Sequence, residues 1–321
     1  MRILPSFSFL RPGTRAFIQE ARRTPGYGFF DWLHGYVYSR WPYTYIGIAV
    51  GEHPLAKAAL RIWRTWRPAP AGKEAQPVAR RPIGAGTIGD AYHGKVVTLE
   101  AAIRLVSVQQ EIALTDLEHV IPYPVARDIV LRHPDHIAVL ECPCRASRPH
   151  PCRPLDVCLI VGEPFASFVL EHHPRRSRRI TSDEAAAILA AEHERGHVHH
   201  AFFKDAMLGR FYAICNCCSC CCGAMQAHRS GIPMLNSSGY TSHVDAALCA
   251  ACGTCAERCP FGAITVDGYA RVNEAECMGC GVCVSSCPQD ALTLVRDDRK
   301  AAPLELDALM IQAVMAAERT L

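Results

Sequence analysis

The apolar residues of this chain recur in short runs that predict a mixture of helices and buried strands. Helical spacing predicts four helices, at 99–110, 122–133, 164–172 and 181–195. Compact apolar runs predict three strands, at 137–140, 157–161 and 211–214. The basic stretch 175–179 predicts a loop. This alternation of helices and strands predicts an α/β domain over residues 96–240.

The N-terminal region, residues 1–95, is predicted to be helical and is unusually aromatic between Phe29 and Val50. Residues 68–82 are rich in Pro, Ala, Gly and charge, which is typical of a linker. The first residues do not form a convincing signal peptide, because Pro5 and Arg11 interrupt the apolar stretch. Apolar runs stay below the roughly 18 residues of a transmembrane helix, so we expect none.

A helix is predicted over 55–67, and it carries four basic residues together with Trp63 and Trp66. Basic helices that bear tryptophan lie on membrane surfaces in many proteins. This pattern indicates a possible peripheral membrane contact through residues 29–67. The alternative is a helix that packs on the rest of the chain and leaves its arginines in solvent.

Composition narrows the class of protein. The chain has 321 residues, enough for two or three domains, and a formal net charge of +3, so no basic excess indicates nucleic acid as a partner. It has 18 cysteines, many of them adjacent, and adjacent cysteines rarely bridge to each other without strain. Thiols at this density indicate a reducing compartment. We therefore expect the protein to be located in the cytoplasm. The alternative is attachment to the cytoplasmic face of a membrane.

Near the C-terminus the chain contains an internal repeat of cysteines with the spacing C-x2-C-x2-C-x3-C-P, offset by 28 residues. The first run holds Cys249, Cys252, Cys255 and Cys259 before Pro260, and the second holds Cys277, Cys280, Cys283 and Cys287 before Pro288. This spacing is typical of cysteine-ligated iron–sulfur clusters. Zinc sites favour two cysteine pairs with a longer spacer, so zinc and disulfides are the weaker interpretations.

The segment closely resembles the bacterial two-cluster ferredoxins over roughly 50 residues. The resemblance implies an α+β ferredoxin-like module over residues 241–296 with two [4Fe-4S] clusters. The fourth cysteine of each run then serves the other cluster. One cluster is expected to use Cys249, Cys252, Cys255 and Cys287. The second cluster is expected to use Cys277, Cys280, Cys283 and Cys259.

Ten further cysteines lie upstream, in two groups, each of which follows a predicted strand. The first group is Cys142, Cys144, Cys152 and Cys158, and the second is Cys215, Cys217, Cys218, Cys220, Cys221 and Cys222. If the strands at 137–140 and 157–161 pair antiparallel, the first group gathers at one end of the sheet. These cysteines predict at least one additional iron–sulfur cluster, with structural zinc as the alternative. Arg145 is placed to stabilise negative charge on such a centre.

The upstream segments Glu141–Arg145 and Cys215–Cys218 give the whole chain a second resemblance. It is similar to bacterial 4Fe-4S-binding proteins with a Glu-Cys-x-Cys-Arg element and a Cys-Asn-Cys-Cys run ahead of a ferredoxin domain. The resemblance implies cluster binding. In addition, Cys221-Cys222-Gly223 is similar to the Cys-Cys-Gly elements of heterodisulfide-reductase-type subunits.

Two short motifs are better explained without catalysis. Gly84–Gly89 matches G-x-G-x-x-G, but its flanks predict neither the preceding strand nor the following helix of a dinucleotide site, so we expect a flexible loop. His193–His197 matches H-E-x-x-H, yet Gly196 should end the helix before His197. His193, His197, His199 and His200 are therefore predicted to form a polar helix end.

The sequence thus predicts an α/β cysteine-rich domain fused to a ferredoxin-like 2[4Fe-4S] module, with a helical N-terminal region and a terminal helix over 297–321. The predicted function is the relay of single electrons between a redox partner protein and the second cysteine-rich site. Two alternatives stay open. One is a redox enzyme with an active-site cluster within 142–222, and the other is a non-catalytic metal-binding or assembly factor.

Overall fold

The computed structural model describes residues 10–59 and 80–319 of the chain. The N-terminal region is helical, as predicted. Its helices are α1 (Pro12–Arg23), α2 (Phe29–Arg40), α3 (Pro42–Ala49) and α4, whose described part is 54–59. Proline in the first turn opens α1 and α3, where its missing N–H leaves no hydrogen bond unmade. Trp63 and Trp66 lie outside the described residues, and membrane contact through 29–67 stays a prediction.

The central part of the chain is built on one mixed sheet. After α5 (Ile88–Ala91), its strands and helices are β1 (Tyr92–Val97), α6 (Leu99–Val106), β2 (Ile112–Leu114), β3 (Ile129–Glu141), α7 (Pro143–Ala146), β4 (Asp156–Glu163), α8 (Phe165–His172), β5 (Ser177–Ile180), α9 (Ser182–Glu194), β6 (Val198–Lys204), β7 (Arg210–Cys217), α10 (Gly223–Arg229) and β8 (Leu235–Asn236). The strand order is β2-β3-β4-β7-β6-β1-β8, and β5 pairs with β3. Only the short β1–β8 pairing is parallel among these strands.

The sheet is buried on both faces, because successive residues of a strand point to opposite sides. One face carries Leu140, Ile160 and Phe202, and helices α1, α2, α3 and α8 cover it. The other face carries Val139 and Phe203 and packs against α6, α9 and the terminal helix α13 (Leu306–Arg319). Six of the upstream cysteines lie on the first face, beneath the N-terminal helices: Cys142, Cys144, Cys158, Cys215, Cys217 and Cys222.

The C-terminal module has the internal symmetry expected from its repeat. It contains β9 (Tyr240–Val244), α11 (Thr254–Arg258), β10 (Ile264–Asp267), β11 (Tyr269–Val272), α12 (Val282–Ser285) and β12 (Leu292–Arg296). Strand β12 pairs with β9 and β10 pairs with β11, both antiparallel. No helix in the described ranges is long and apolar enough to cross a membrane.

Three of the four predicted helices and all three predicted strands are confirmed, but the helix predicted over 122–133 is wrong. Residues 122–127 form bends and irregular backbone, Asp128 makes an isolated bridge to Arg210, and Ile129 begins the long strand β3. Pro122 and Pro124 restrict the residues before them to extended conformations. β-Branched Ile129 and Val130 then favour a strand.

Two smaller expectations also fail. The predicted basic loop at 175–179 overlaps strand β5, whose arginines stay exposed while Ile180 is buried. His199 and His200 belong to the buried strand β6 rather than to a polar helix end. Burial lowers the pKa of His200 to about 3, so its ring is neutral there. Residues 83–86 form a turn and a bend before the short helix α5, and residues 80–87 contain no strand.

Candidate metal centres

Three adjacent strand ends bring the upstream cysteines together. Cys142 directly follows β3, Cys158 lies in β4, and Cys215 lies in β7. Cys158 is opposite Leu140 on one side and opposite Cys215 on the other. The antiparallel pairing of 137–140 with 157–161 is therefore confirmed, and both upstream groups meet at one edge of the sheet.

The structure divides the ten upstream cysteines in an unexpected way. Six buried or half-buried thiols form one continuous set, which we name the six-thiol group: Cys142, Cys144, Cys158, Cys215, Cys217 and Cys222. Cys142 interacts with Cys144 and Cys158, and the set continues from Cys158 to Cys215. On the other side it continues from Cys144 through Cys222 to Cys217.

The remaining four upstream cysteines form a compact cluster, which we name the four-thiol group: Cys152, Cys218, Cys220 and Cys221. All of their Sγ atoms lie within 4.8 Å of one another. A tetrahedral zinc ion with Zn–S bonds of about 2.3 Å separates its sulfur ligands by roughly 3.8 Å. The four-thiol group therefore has the compactness that a single tetrahedral ion requires.

Sulfur spacing distinguishes this group from the other cysteines of the chain. Among the described residues, neither the six-thiol group nor the eight C-terminal cysteines contain three thiols that are all so close together. A cubane binds its cysteines at four different irons, so its ligand sulfurs stand further apart than those of one ion. The six-thiol group thus lacks a compact set of three thiols, although neighbouring thiols within it are in pairwise contact.

The chain path explains this division. Cys215 and Cys217 alternate with Asn216 along β7, so both point to the same face of the sheet. The turn at 218–221 then leaves the sheet and carries its three cysteines toward Cys152 near the surface. Cys222 is the N-cap residue of α10, and it returns to the buried set.

Burial and neighbouring thiols control the ionisation of these cysteines. The pKa of Cys142 is raised to about 12, first by the neighbouring Cys144 side chain and also by burial. The pKa of Cys158 is raised by its contacts with Cys142 and Cys215 and by burial. For Cys218, burial opposes ionisation, but the backbone N–H of Cys221 and the charge of Arg145 lower the pKa overall.

Arg145 fixes the segment that connects β3 to β4. Its side chain is 1% exposed and forms a 2.6 Å ion pair with Glu192, which is equally buried. It also donates to the backbone oxygens of Pro154 and Asn216, at 2.6 Å and 2.9 Å. The arginine therefore ties the Cys142–Cys144 segment to β7 and α9, and Glu192 balances its charge.

A large apolar cavity reaches the six-thiol group from the side of the N-terminal helices. Its volume is about 710 Å³, and all six thiols contribute to its wall. The rest of the wall is mainly apolar, with Ile160, Phe168 and Phe202 among its residues. Its polar groups include Lys204 and a cluster of tyrosines.

The C-terminal cysteines surround two small cavities. Each run begins its short helix at a glycine with a left-handed backbone, Gly253 at φ 84° and Gly281 at φ 81°. One cavity is lined by Cys249, Cys252, Cys255 and Cys287, and the other by Cys259, Cys277, Cys280 and Cys283. In each cavity three cysteines come from one run and the fourth from the other. This grouping matches the predicted ligand sets, whose assignment stays a prediction.

Backbone N–H groups point at the C-terminal sulfurs, as they do around iron–sulfur clusters. Ala263 N donates to Cys259 Sγ at 3.3 Å, and Ala291 N donates to Cys287 Sγ at the same distance. The two contacts occupy equivalent places in the two runs. Sulfur donors, small cavities and N–H groups together fit the binding of two clusters.

Comparison with known families agrees with this geometry. Residues 243–265 and 270–293 each match the family model of the 4Fe-4S binding domain. The C-terminal module is a 4Fe-4S binding domain. The two matches are adjacent, as in a two-cluster ferredoxin, and they leave the upstream cysteines uncovered. No curated protein matches the chain.

The 4Fe-4S module packs directly on the upstream cysteine region. Met278, Cys280 and Val282 belong to the same buried cluster as Cys142, Cys158 and Cys217. The hydroxyl of Ser285 in α12 lies 2.9 Å from Nε2 of His193 in α9. The second cysteine run therefore faces inward, whereas Cys252 of the first run is exposed.

A line of histidines runs from the module to strand β7, on the face of the sheet opposite to Cys215 and Cys217. The ring of His193 stacks on that of His199 with a centroid distance of 5.4 Å. His199 Nδ1 is 2.6 Å from Oδ1 of Asn216, the residue between Cys215 and Cys217. This link is not predicted from the sequence, because the H-E-x-x-H pattern places His199 at a helix end rather than in a strand. His197 does lie beyond the end of α9, as predicted, and it pairs with Glu192.

Proposed function

We propose that this protein relays single electrons from a redox partner protein, through two [4Fe-4S] clusters, to a further redox centre at the six-thiol group. The observation that supports this most strongly is the shared core of Cys280 and the six-thiol group. Electron transfer needs ligation, short separations and tuned surroundings rather than a side-chain acid or base.

The two ends of the 4Fe-4S module suit different roles. Cys252 is exposed and Cys249 half-buried, so the cluster expected there is accessible to a partner protein. Cys277, Cys280 and Cys283 are buried, and their run faces the upstream region. Electrons would therefore enter at the outer cluster and leave from the inner cluster.

We assign different centres to the two upstream groups. The six-thiol group would hold an additional iron–sulfur cluster, because it offers six buried or half-buried thiols without the compact set that a single ion requires. The four-thiol group would hold one tetrahedral ion, zinc or iron, which would fix the loop at 218–221. Arg148 supports that loop by donating from Nη2 to the backbone oxygen of Cys221 at 3.1 Å.

The direction of electron flow is testable by rapid-freeze EPR on the anaerobically purified, fully loaded protein. A reduced bacterial ferredoxin serves as the donor, because it is too large to enter the cavity. We expect the module signals to appear first and the upstream signal to follow. In a Cys280→Ser, Cys283→Ser double variant, the upstream signal should be lost or strongly delayed. Equally fast upstream reduction in that variant would refute the relay.

The cavity favours a second candidate, a redox enzyme that uses the upstream centre to reduce or oxidise a small molecule. A pure carrier has no use for a cavity of about 710 Å³ that ends at its electron acceptor. Perturbation of the upstream EPR signal by a bound small molecule would favour the enzyme. An unchanged signal with a saturating ligand would favour the carrier.

A further inference from the structure

The cavity has the size and lining of a small-molecule site. Its volume, about 710 Å³, is well within the roughly 300–1,000 Å³ that such sites occupy. Helices α2 and α3 form one side, and the first face of the sheet forms the other. Ile48 and Ile88 belong to the wall and are exposed, so the cavity reaches the described surface between them.

Lys204 supplies an ammonium group to this cavity. It ends β6 on the same face as Phe202 and lines the cavity, yet the residue is only 3% exposed. Its Nζ atom is 3.9 Å from Asp205, too far for a hydrogen bond. Within the described residues its other close partners are aromatic rings, with Tyr92 at 4.7 Å and Tyr38 at 5.1 Å from Nζ. An ammonium with no hydrogen-bond acceptor is costly to bury, so the site is incomplete without one.

The tyrosine hydroxyls of the cavity satisfy one another. The hydroxyl of Tyr38 is 2.8 Å from that of Tyr212 and 3.2 Å from that of Tyr92. They therefore form a neutral polar patch between Lys204 and Cys215. Lys204 is the ammonium group of the cavity, and its nearest carboxylate, that of Asp205, lines the same cavity without reaching hydrogen-bond distance.

The spacing along β6 sets the shape of the occupant. Cys215 is opposite His200, four residues before Lys204. At about 3.3 Å per residue this separation is roughly 13 Å. A molecule that pairs with Lys204 must be elongated if its far end is to reach the six-thiol group.

We propose that the cavity binds an elongated apolar carboxylic acid, with its carboxylate on Lys204 and its hydrocarbon body directed toward the six-thiol group. A single ammonium among apolar walls matches one negative charge, whereas a phosphate dianion would leave charge uncompensated. A neutral ligand would give the ammonium at most a hydrogen bond without the charge assistance of a carboxylate. The inference deepens the proposed function by naming the class of molecule that meets the upstream centre.

The test measures binding directly, by anaerobic isothermal titration calorimetry of the loaded full-length protein. The probes are dodecanoate and, as an uncharged match, dodecanol. In Lys204→Met, which keeps the side-chain volume, dodecanoate binding should weaken roughly tenfold or more while dodecanol binding changes little. The control Lys57→Met removes a half-exposed charge from α4 and should change neither affinity.

A second variant tests, without changing any charge, whether the probes bind in this cavity. Ile160 belongs to the cavity wall on β4, so Ile160→Trp should fill the cavity and abolish binding of both probes. Failure of the wild-type protein to bind dodecanoate would overturn the proposal. Unchanged dodecanoate affinity in Lys204→Met, or unchanged binding of both probes in Ile160→Trp, would overturn it equally. These results do not depend on a third redox centre, so they distinguish this inference from the relay.

Discussion

Lys204 is a buried lysine whose pKa reflects the apolar surroundings of the cavity. Burial is the main cause that lowers its pKa from the ordinary 10.5 to about 8, and Asp205 opposes the shift. The titratable groups around it are Asp205, His34 and the three tyrosines Tyr38, Tyr45 and Tyr92. The lysine is still protonated at neutral pH, at a cost to stability that a ligand carboxylate would reduce.

Replacing Lys204 by methionine should therefore stabilise the ligand-free protein in a pH-dependent way. Because the folded pKa lies below the unfolded one, wild-type stability rises between about pH 8 and pH 10.5 and carries the full penalty below pH 8. The gain in Lys204→Met should be about 3 kcal/mol at pH 7 and roughly half of that at pH 9.5. Anaerobic urea unfolding at the two pH values checks this. An equal gain in the free energy of unfolding at pH 7 and pH 9.5 would contradict the lowered pKa of Lys204.

Arg145 has a structural role that its neighbours make measurable. Removing one member of a buried ion pair leaves the other charge unpaired, so Arg145→Ala should cost about 3–5 kcal/mol. It should also release metal from the upstream cysteines while the module's EPR signals persist. Arg178→Ala, which breaks a half-exposed pair with Glu184, is the matched control and should cost less than about 1 kcal/mol. Equal effects of the two substitutions would contradict this role.

Sequence reasoning at the residue scale identified the cysteines but not their partition. The eight C-terminal cysteines follow a spacing that encodes their grouping, so they could be assigned to cavities in advance. Cys152 is close to Cys142 and Cys144 in sequence, yet the structure brings it to Cys220, with their Sγ atoms 2.9 Å apart. Such long-range contacts depend on loop paths that local patterns do not encode.

At the scale of elements, the loop between Cys277 and Cys280 packs tightly against β9 of the 4Fe-4S module and against Ser238, just before that strand. Gly279 has a left-handed backbone at φ 63°, and a Cβ atom there would lie 2.3 Å from the backbone oxygen of Tyr240. Ala251, the equivalent residue of the first run, adopts a similar φ of 53°. The left-handed backbone at this position of the run is thus compatible with alanine, as Ala251 shows. Glycine is required at 279 because of the close contact with β9.

Gly279→Ala should consequently disturb the inner cluster more than the outer one. Backbone oxygens of a paired strand cannot move easily, so we expect loss of the iron held near Cys280. Gly253→Ala is the control, because that residue has φ 84° and no atom within 4 Å of the new Cβ. It should cost only the roughly 1–2 kcal/mol of left-handed strain. Iron analysis and EPR of both variants make the comparison, and equal iron loss in the two would show that the close contact of Gly279 with β9 does not matter.

The elements that were predicted correctly have strong local signals. Thr181 caps α9 by accepting from the backbone N–H of Glu184, and Gly196 follows the helix with a left-handed backbone, as the sequence indicates. The segment 122–136 lacks such signals, and its apolar residues fit the spacing of a helix as well as that of a strand. Pairing with β2, β4 and β5 makes β3 a strand of 13 residues.

For the whole molecule, the division of the upstream cysteines predicts two kinds of metal centre. Cys152→Ser or Cys220→Ser should remove one metal ion per chain, detected by metal analysis, without loss of iron–sulfur EPR signals. Cys158→Ser should instead remove the upstream iron–sulfur EPR signal and leave the single metal ion in place. Ser219→Ala, in the same loop but outside both groups, is the control and should change neither. Loss of the same metal in all the cysteine variants would show a single shared centre instead.

The architecture as a whole also explains why the 4Fe-4S module alone does not describe the protein. The module shares its buried surface with the six-thiol group, and the N-terminal helices enclose a cavity on the far side of that group. A partner protein, the two expected clusters, the upstream centre and a ligand would thus follow one another through the chain. This path for electrons requires a redox-active centre at the upstream cysteines.

An anaerobic redox titration of the full-length protein, followed by EPR and accompanied by iron analysis, tests this central claim most directly. The relay predicts clearly more than about eight irons per chain and a third redox-active component besides the two module clusters. Cys158→Ser should remove that component and leave the module signals in place. About eight irons, with only the two module signals at every potential, would contradict the account.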